Sequence, residues 1–66
     1  MPFVQVTIVE GRTVEQKRAL IQGITEACVS AVDATPENVR IAIYEVSPDE
    51  WGVAGETVTQ IRARNS

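Results

Sequence analysis

Apolar and polar residues alternate through positions 3–9 (FVQVTIV), with Val4, Val6 and Ile8 on one face and Phe3, Gln5, Thr7 and Val9 on the other. That period of two predicts a strand. Glu10-Gly11-Arg12 then turns the chain. From Thr13 the period lengthens: Leu20, Ile24, Ala27, Cys28 and Ala31 recur at helical spacing, and Thr13 with Gln16 has the spacing of a capping box. The pattern predicts a helix from Val14 to about Val32, with these apolar residues as its buried stripe and Cys28 an inert thiol within it. Gly23 lies inside the helix, where Gly costs about 1 kcal/mol against Ala, and so predicts a close approach to the sheet.

Asp33 to Glu37 ends the helix, and Thr35-Pro36 suits the start of a short single turn. Alternation returns over residues 39–46 (VRIAIYEV), with Val39, Ile41 and Ile43 on one face and Arg40, Ala42, Tyr44 and Val46 on the other. Ser47-Pro48-Asp49 breaks this second strand. Residues 50–55 (EWGVAG) fit a tight loop or small hairpin, and the rest, ending with Arg62 and Arg64, reads as a polar tail. Strand, long helical crossover and strand make a βαβ unit, with parallel strands and the helix on one face. No linker, repeat or low-complexity segment divides the chain, so residues 1–66 read as a single α+β domain. A two-stranded sheet is marginal alone. Its second face, with Phe3, Val9, Ala42, Tyr44 and Val46, is too apolar for water and predicts cover from another subunit.

Size sharpens that expectation. A chain of 66 residues buries only about 60% of its unfolded surface, so burial and conformational entropy nearly cancel. One cysteine excludes an internal disulfide, and with no histidine there is no ligand set for structural zinc; oligomerisation remains. A net charge of −3 argues against a nucleic-acid footprint. No apolar run approaches the ~18 residues of a membrane span. The opening segment MPFVQVTIVEGR lacks a basic stretch followed by an apolar one, and with a free thiol this points to the cytoplasm. No cofactor is implied. The absence of histidine also removes the commonest general base.

Pro2 can supply a base instead. An initiator Met is normally removed ahead of proline, exposing a secondary amine. The reference α-amino pKa is about 8, and burial beside cations would lower it to give a neutral base near pH 7. Taken alone, Pro2 reads as merely a permitted second residue. Arg12 and Arg40 present forks suited to carboxylates. Parallel strands start at the same end, so Arg40, heading an otherwise apolar strand face, lies near Pro2. Arg12 is ten residues on, about 33 Å away in extended chain, so joint action with Pro2 requires a neighbouring chain. Trp51 can wall an apolar site or pack at an interface. Glu10, Glu45 and Glu50 read as solvated acids or ion-pair partners.

Pro2, the strand, E-G-R-T-x-E-Q-K (Glu10 to Lys17), V-R (Val39-Arg40) and W-G-V-A-G-E (Trp51 to Glu56) together resemble the 4-oxalocrotonate tautomerase family over essentially the whole chain. The resemblance implies a βαβ fold with a short C-terminal hairpin, assembled as a hexamer of three dimers. It also implies an isomerase in which the Pro2 amine moves a proton along a 2-hydroxydienoate such as 2-hydroxymuconate. Arg40 would hold the 2-oxygen and adjacent carboxylate as charge develops. Arg12 would hold the distal carboxylate, and Trp51 would wall the site and help keep the proline neutral. Asn38 joins the substrate-binding set. Family members often carry Ser where Asn38 stands, Phe where Trp51 stands and Gly where Ala54 stands, and an arginine matching Arg62. The implied partners are a dicarboxylate or 2-oxo acid and other copies of a similar chain. The alternatives are a dehalogenase or decarboxylase using the same proline, or a non-catalytic oligomeric βαβ module whose arginines form interface ion pairs.

Overall fold

In the computed structural model, which describes residues 1–65, strand β1 (Phe3–Val9) leads through Glu10-Gly11 to helix α1 (Val14–Val32). A single 3-10 turn (Pro36–Asn38) then delivers the chain to β2 (Arg40–Val46). The capping box is formed in full. Thr13 Oγ1 accepts from the Gln16 amide at 3.1 Å, and Gln16 Oε1 accepts from the Thr13 amide at 2.9 Å. Asp33 closes the helix in the left-handed conformation (φ 60°), its amide donating to the Cys28 carbonyl. The strand predicted from Val39 begins at Arg40, because the Val39 amide is spent on the 3-10 turn, donating to the Pro36 carbonyl at 3.2 Å.

β1 and β2 pair in parallel from Phe3↔Arg40 to Val9↔Val46. The register places Val4, Val6 and Ile8 on one face with Ile41 and Ile43, as the alternation requires. These side chains are half-buried, together with Leu20, Ile24 and Cys28 of α1. A Lys17–Glu45 ion pair at 2.7 Å ties the first turns of α1 to β2. The predicted helical stripe is only partly right. Ala27 and Ala31 are exposed, while Lys17, Thr25 and Val29 are half-buried. The stripe therefore leans toward the positions that meet a sheet of two strands, too narrow to cover the helix. Gly23 makes no close approach: a Cβ there would meet nothing within 4 Å.

After β2, the Glu50 amide donates to the Ser47 carbonyl at 2.9 Å, turning the chain into a small antiparallel hairpin, β3 (Gly52–Val53) and β4 (Glu56–Thr57). Ala54 and Gly55, both at positive φ (53° and 84°), form its two-residue turn. That is the primed geometry whose twist matches paired strands. The predicted polar tail is instead helix α2 (Val58–Asn65). It carries a second reciprocal cap, with Gln60 N donating to Thr57 Oγ1 at 3.1 Å and Thr57 N to Gln60 Oε1 at 2.9 Å. Arg64 pairs with Glu56 across this unit.

No described residue is fully buried, and the chain exposes 4891 Å². Surface scaling gives about 4,100 Å² for a compact monomer of this mass. The radius of gyration is 15.1 Å, against about 11 Å for a compact chain of this length. The excess lies on the projecting hairpin and on the uncovered sheet face, where Phe3 and Tyr44 are 62% and 50% exposed. On that face the Gln5 amide reaches the Tyr44 hydroxyl at 3.3 Å.

Candidate active site

The parallel sheet sorts the candidate residues by end. Where the strands begin, the Pro2 carbonyl accepts from the Arg40 amide at 3.0 Å, continuing the ladder one residue beyond β1. Pro2 is half-buried and Arg40 exposed. The Arg40 guanidinium folds back to donate to the Glu37 carbonyl, so the 3-10 turn orients it. Asn38 ends that same turn. Pro2 and Asn38 line a cleft of about 530 Å³ that also takes in Asp33 and Thr35. These last two were not singled out from the sequence. They are brought there by the αL cap and the extended residue after it, and no sequence spacing points to them.

Where the strands end, a different set gathers. Gly11 at φ 128° makes the turn out of β1, and exposed Arg12 follows it. Arg12 lines a groove of about 250 Å³ with Ile8, Gln16, Lys17 and Leu20. It makes no hydrogen bond or ion pair among the described residues. Trp51 is reached only after β2 has run its length and the Ser47 turn has been made. It is half-buried, and its carbonyl accepts from the Val58 amide at 2.9 Å, locking it to the start of α2. One chain thus brings Pro2 and Asn38 into one cleft, sets the Arg40 backbone against Pro2 with its guanidinium turned to the Glu37 carbonyl and outside the cleft lining, and leaves Arg12 and Trp51 elsewhere. The extended estimate for Arg12 is too long, because only Phe3–Val9 is strand and the chain then turns. Six strand steps still separate Phe3 from Val9 by about 20 Å.

A neutral amine beside an arginine can move a proton while the arginine stabilises the developing oxyanion. Among the described residues, no group of three or more His, Cys, Asp or Glu could hold a metal ion.

The profile of the tautomerase enzyme family matches residues 2–61. The chain belongs to the tautomerase family. It is 44% identical to the 2-hydroxymuconate tautomerase of Comamonas testosteroni over 61 residues, covering 92% of this chain and 97% of that protein. A 4-oxalocrotonate tautomerase isozyme from Methylibium petroleiphilum superposes with a TM-score of 0.92 at 44% identity, covering 96% of this chain and 98% of that one. A heterohexameric 4-oxalocrotonate tautomerase from Chloroflexus aurantiacus gives a TM-score of 0.89 at 35% identity, with 94% and 100% covered. As a tautomerase-family enzyme the chain is an isomerase, and neither the dehalogenase or decarboxylase alternatives nor the non-catalytic module is favoured. Among the described residues, no helix of this tautomerase is long and apolar enough to cross a membrane.

Proposed function

We propose that this chain is a 2-hydroxymuconate-type tautomerase in which Pro2, freed by removal of Met1, is the base. Loss of Met1 converts the Pro2 amide nitrogen into a secondary amine. That amine takes the proton from the 2-hydroxyl of the dienol, and the C2–O bond becomes a carbonyl. The remaining double bond moves between C3 and C4, and the prolinium returns its proton to C5. Arg40 holds the 2-oxygen and the neighbouring carboxylate, matching charge as it appears. Asn38, which lines the cleft with Pro2, adds a hydrogen-bonding group there. Arg12 receives the distal carboxylate, and Trp51 walls the site and keeps water from the proline.

The observation that carries this reading is the direct bond between the Arg40 amide and the Pro2 carbonyl at 3.0 Å. It brings the backbones of the two residues together at the end of the sheet where the strands begin. The distance between that pair and Arg12 supports a site shared between chains. The exposed apolar face supports a homo-oligomer, which we take to be a trimer of dimers, and the heterohexameric relative supports the count of six. Residues 1–66 act as one domain, and the free Cys28 fits a cytoplasmic setting. The test is the ultraviolet change as 2-hydroxymuconate ketonises with and without the protein. Ketonisation no faster than in buffer would remove the proposed substrate.

A further inference from the structure

The groove beside Arg12 is lined by two cations, one amide and no acid, with the Glu45 carboxylate standing behind the Lys17 ammonium. Arg12 has no acceptor, and its guanidinium is unpaired among the described residues. Gln16 has its Oε1 committed to the Thr13 amide, which leaves its Nε2 hydrogens as what it presents. Lys17 gives one bond to Glu45 Oε1 at 2.7 Å, and its ammonium keeps further donors. Glu45 stands opposite Ile8 in the parallel register, so the ion pair fixes the ammonium over the face that Ile8 and Leu20 floor. Neither Glu10 nor Glu15 lines the groove. An apolar floor with cations and amide hydrogens at its rim matches a carboxylate carried on a short hydrocarbon chain, and the low polarity of the floor strengthens the charge contact.

We infer that Lys17, with Gln16 beside it, is a specificity-determining donor for the substrate's second carboxylate, which Arg12 alone does not hold. Glu45 is the ammonium's ion-pair partner, and the ammonium hydrogens left over are what the ligand meets. The inference rests on the tautomerase reading for the class of ligand, but its test does not need turnover.

Calorimetric titration of the assembled protein with cis,cis-muconate, a dienedioate, and with sorbate, a diene monoacid, measures the preference for a second carboxylate. Lys17→Met should lower that preference about tenfold, the loss of one charge-assisted contact. Lys17→Arg should restore most of it. Glu45→Gln breaks the same ion pair yet leaves the ammonium, so it should keep the preference within about twofold. A preference unchanged in Lys17→Met, or lowered equally in Lys17→Met and Glu45→Gln, would overturn the inference, since then the ion pair acts only on structure. A variant-free arm guards against misfolding: the Lys17 ammonium nitrogen resonance should shift on saturation with muconate and not with sorbate. No shift with muconate refutes the assignment. Turnover of 2-hydroxymuconate by the wild-type protein is scored separately, so an inactive protein with an intact muconate preference would sink the proposed reaction and spare the groove.

Discussion

Two inactive variants should rescue one another. Pro2 and Arg12 flank β1, whose Phe3–Val9 span sets them about 20 Å apart before the Gly11 turn is counted. A substrate the size of 2-hydroxymuconate cannot bridge that gap, so the proposed site draws the two residues from different chains. Pro2→Ala and Arg12→Ala alone each place a lesion in every site. When equal amounts are denatured together and refolded, roughly half the chains bring an intact Pro2 and roughly half an intact Arg12. Independent assortment then leaves roughly one quarter of sites whole. Activity on 2-hydroxymuconate, read by ultraviolet absorbance, should climb toward a quarter of the wild-type value, and only after subunits have been exchanged. Pro2→Ala mixed with Pro2→Gly is the control and should gain nothing. A co-refolded Pro2→Ala/Arg12→Ala assembly, verified as mixed by native mass spectrometry, that stays as inactive as its parents would refute the shared site.

Other expectations follow from the same geometry. Arg40→Ala should lower kcat/KM by roughly 10²-fold through loss of a charge-assisted contact, and a loss under about threefold would remove it from the chemistry. Ala54 sits at φ 53°, where a side chain costs about 1–2 kcal/mol and Gly nothing, offset by about 0.5–1 kcal/mol of glycine's chain entropy. Ala54→Gly should therefore stabilise by about 0.5–1 kcal/mol in urea titration, and a destabilised variant would show that the turn is not strained. Light scattering at micromolar concentration should report an assembly near six chains; a folded 7.2 kDa monomer would contradict the argument from the exposed sheet face.

Much of this was legible in the sequence, for identifiable reasons. Alternation in FVQVTIV and RIAIYEV fixes both strands and the faces of their residues, since a period of two leaves no other buried side. Thr13 with Gln16 marks the helix start because the cap is a local hydrogen-bond exchange that needs no tertiary context. The same Thr-x-x-Gln spacing recurs at Thr57 and Gln60, and it is the signal that would have found α2. The segment's polar composition hid it: Val58 and Ile61 are too few apolar residues to set a period. Gly23 misleads because an exposed helical glycine carries the same letter as one chosen for close packing. The Pro2–Arg40 pairing follows from parallel topology, whereas Asp33 and Thr35 enter the cleft through one left-handed residue at a helix end. No pattern along the chain reports such a turn in advance.

In the proposed reaction a free Pro2 amine performs the proton transfer. Preparations of the same chain with graded retention of Met1, each quantified by intact-mass spectrometry, allow the rate of 2-hydroxymuconate ketonisation to be plotted against the fraction of chains that begin at Pro2. The rate should rise with that fraction and fall to the buffer value when every chain keeps Met1. A preparation that fully retains Met1 and is as fast as one that has lost it would exclude the Pro2 amine as the base.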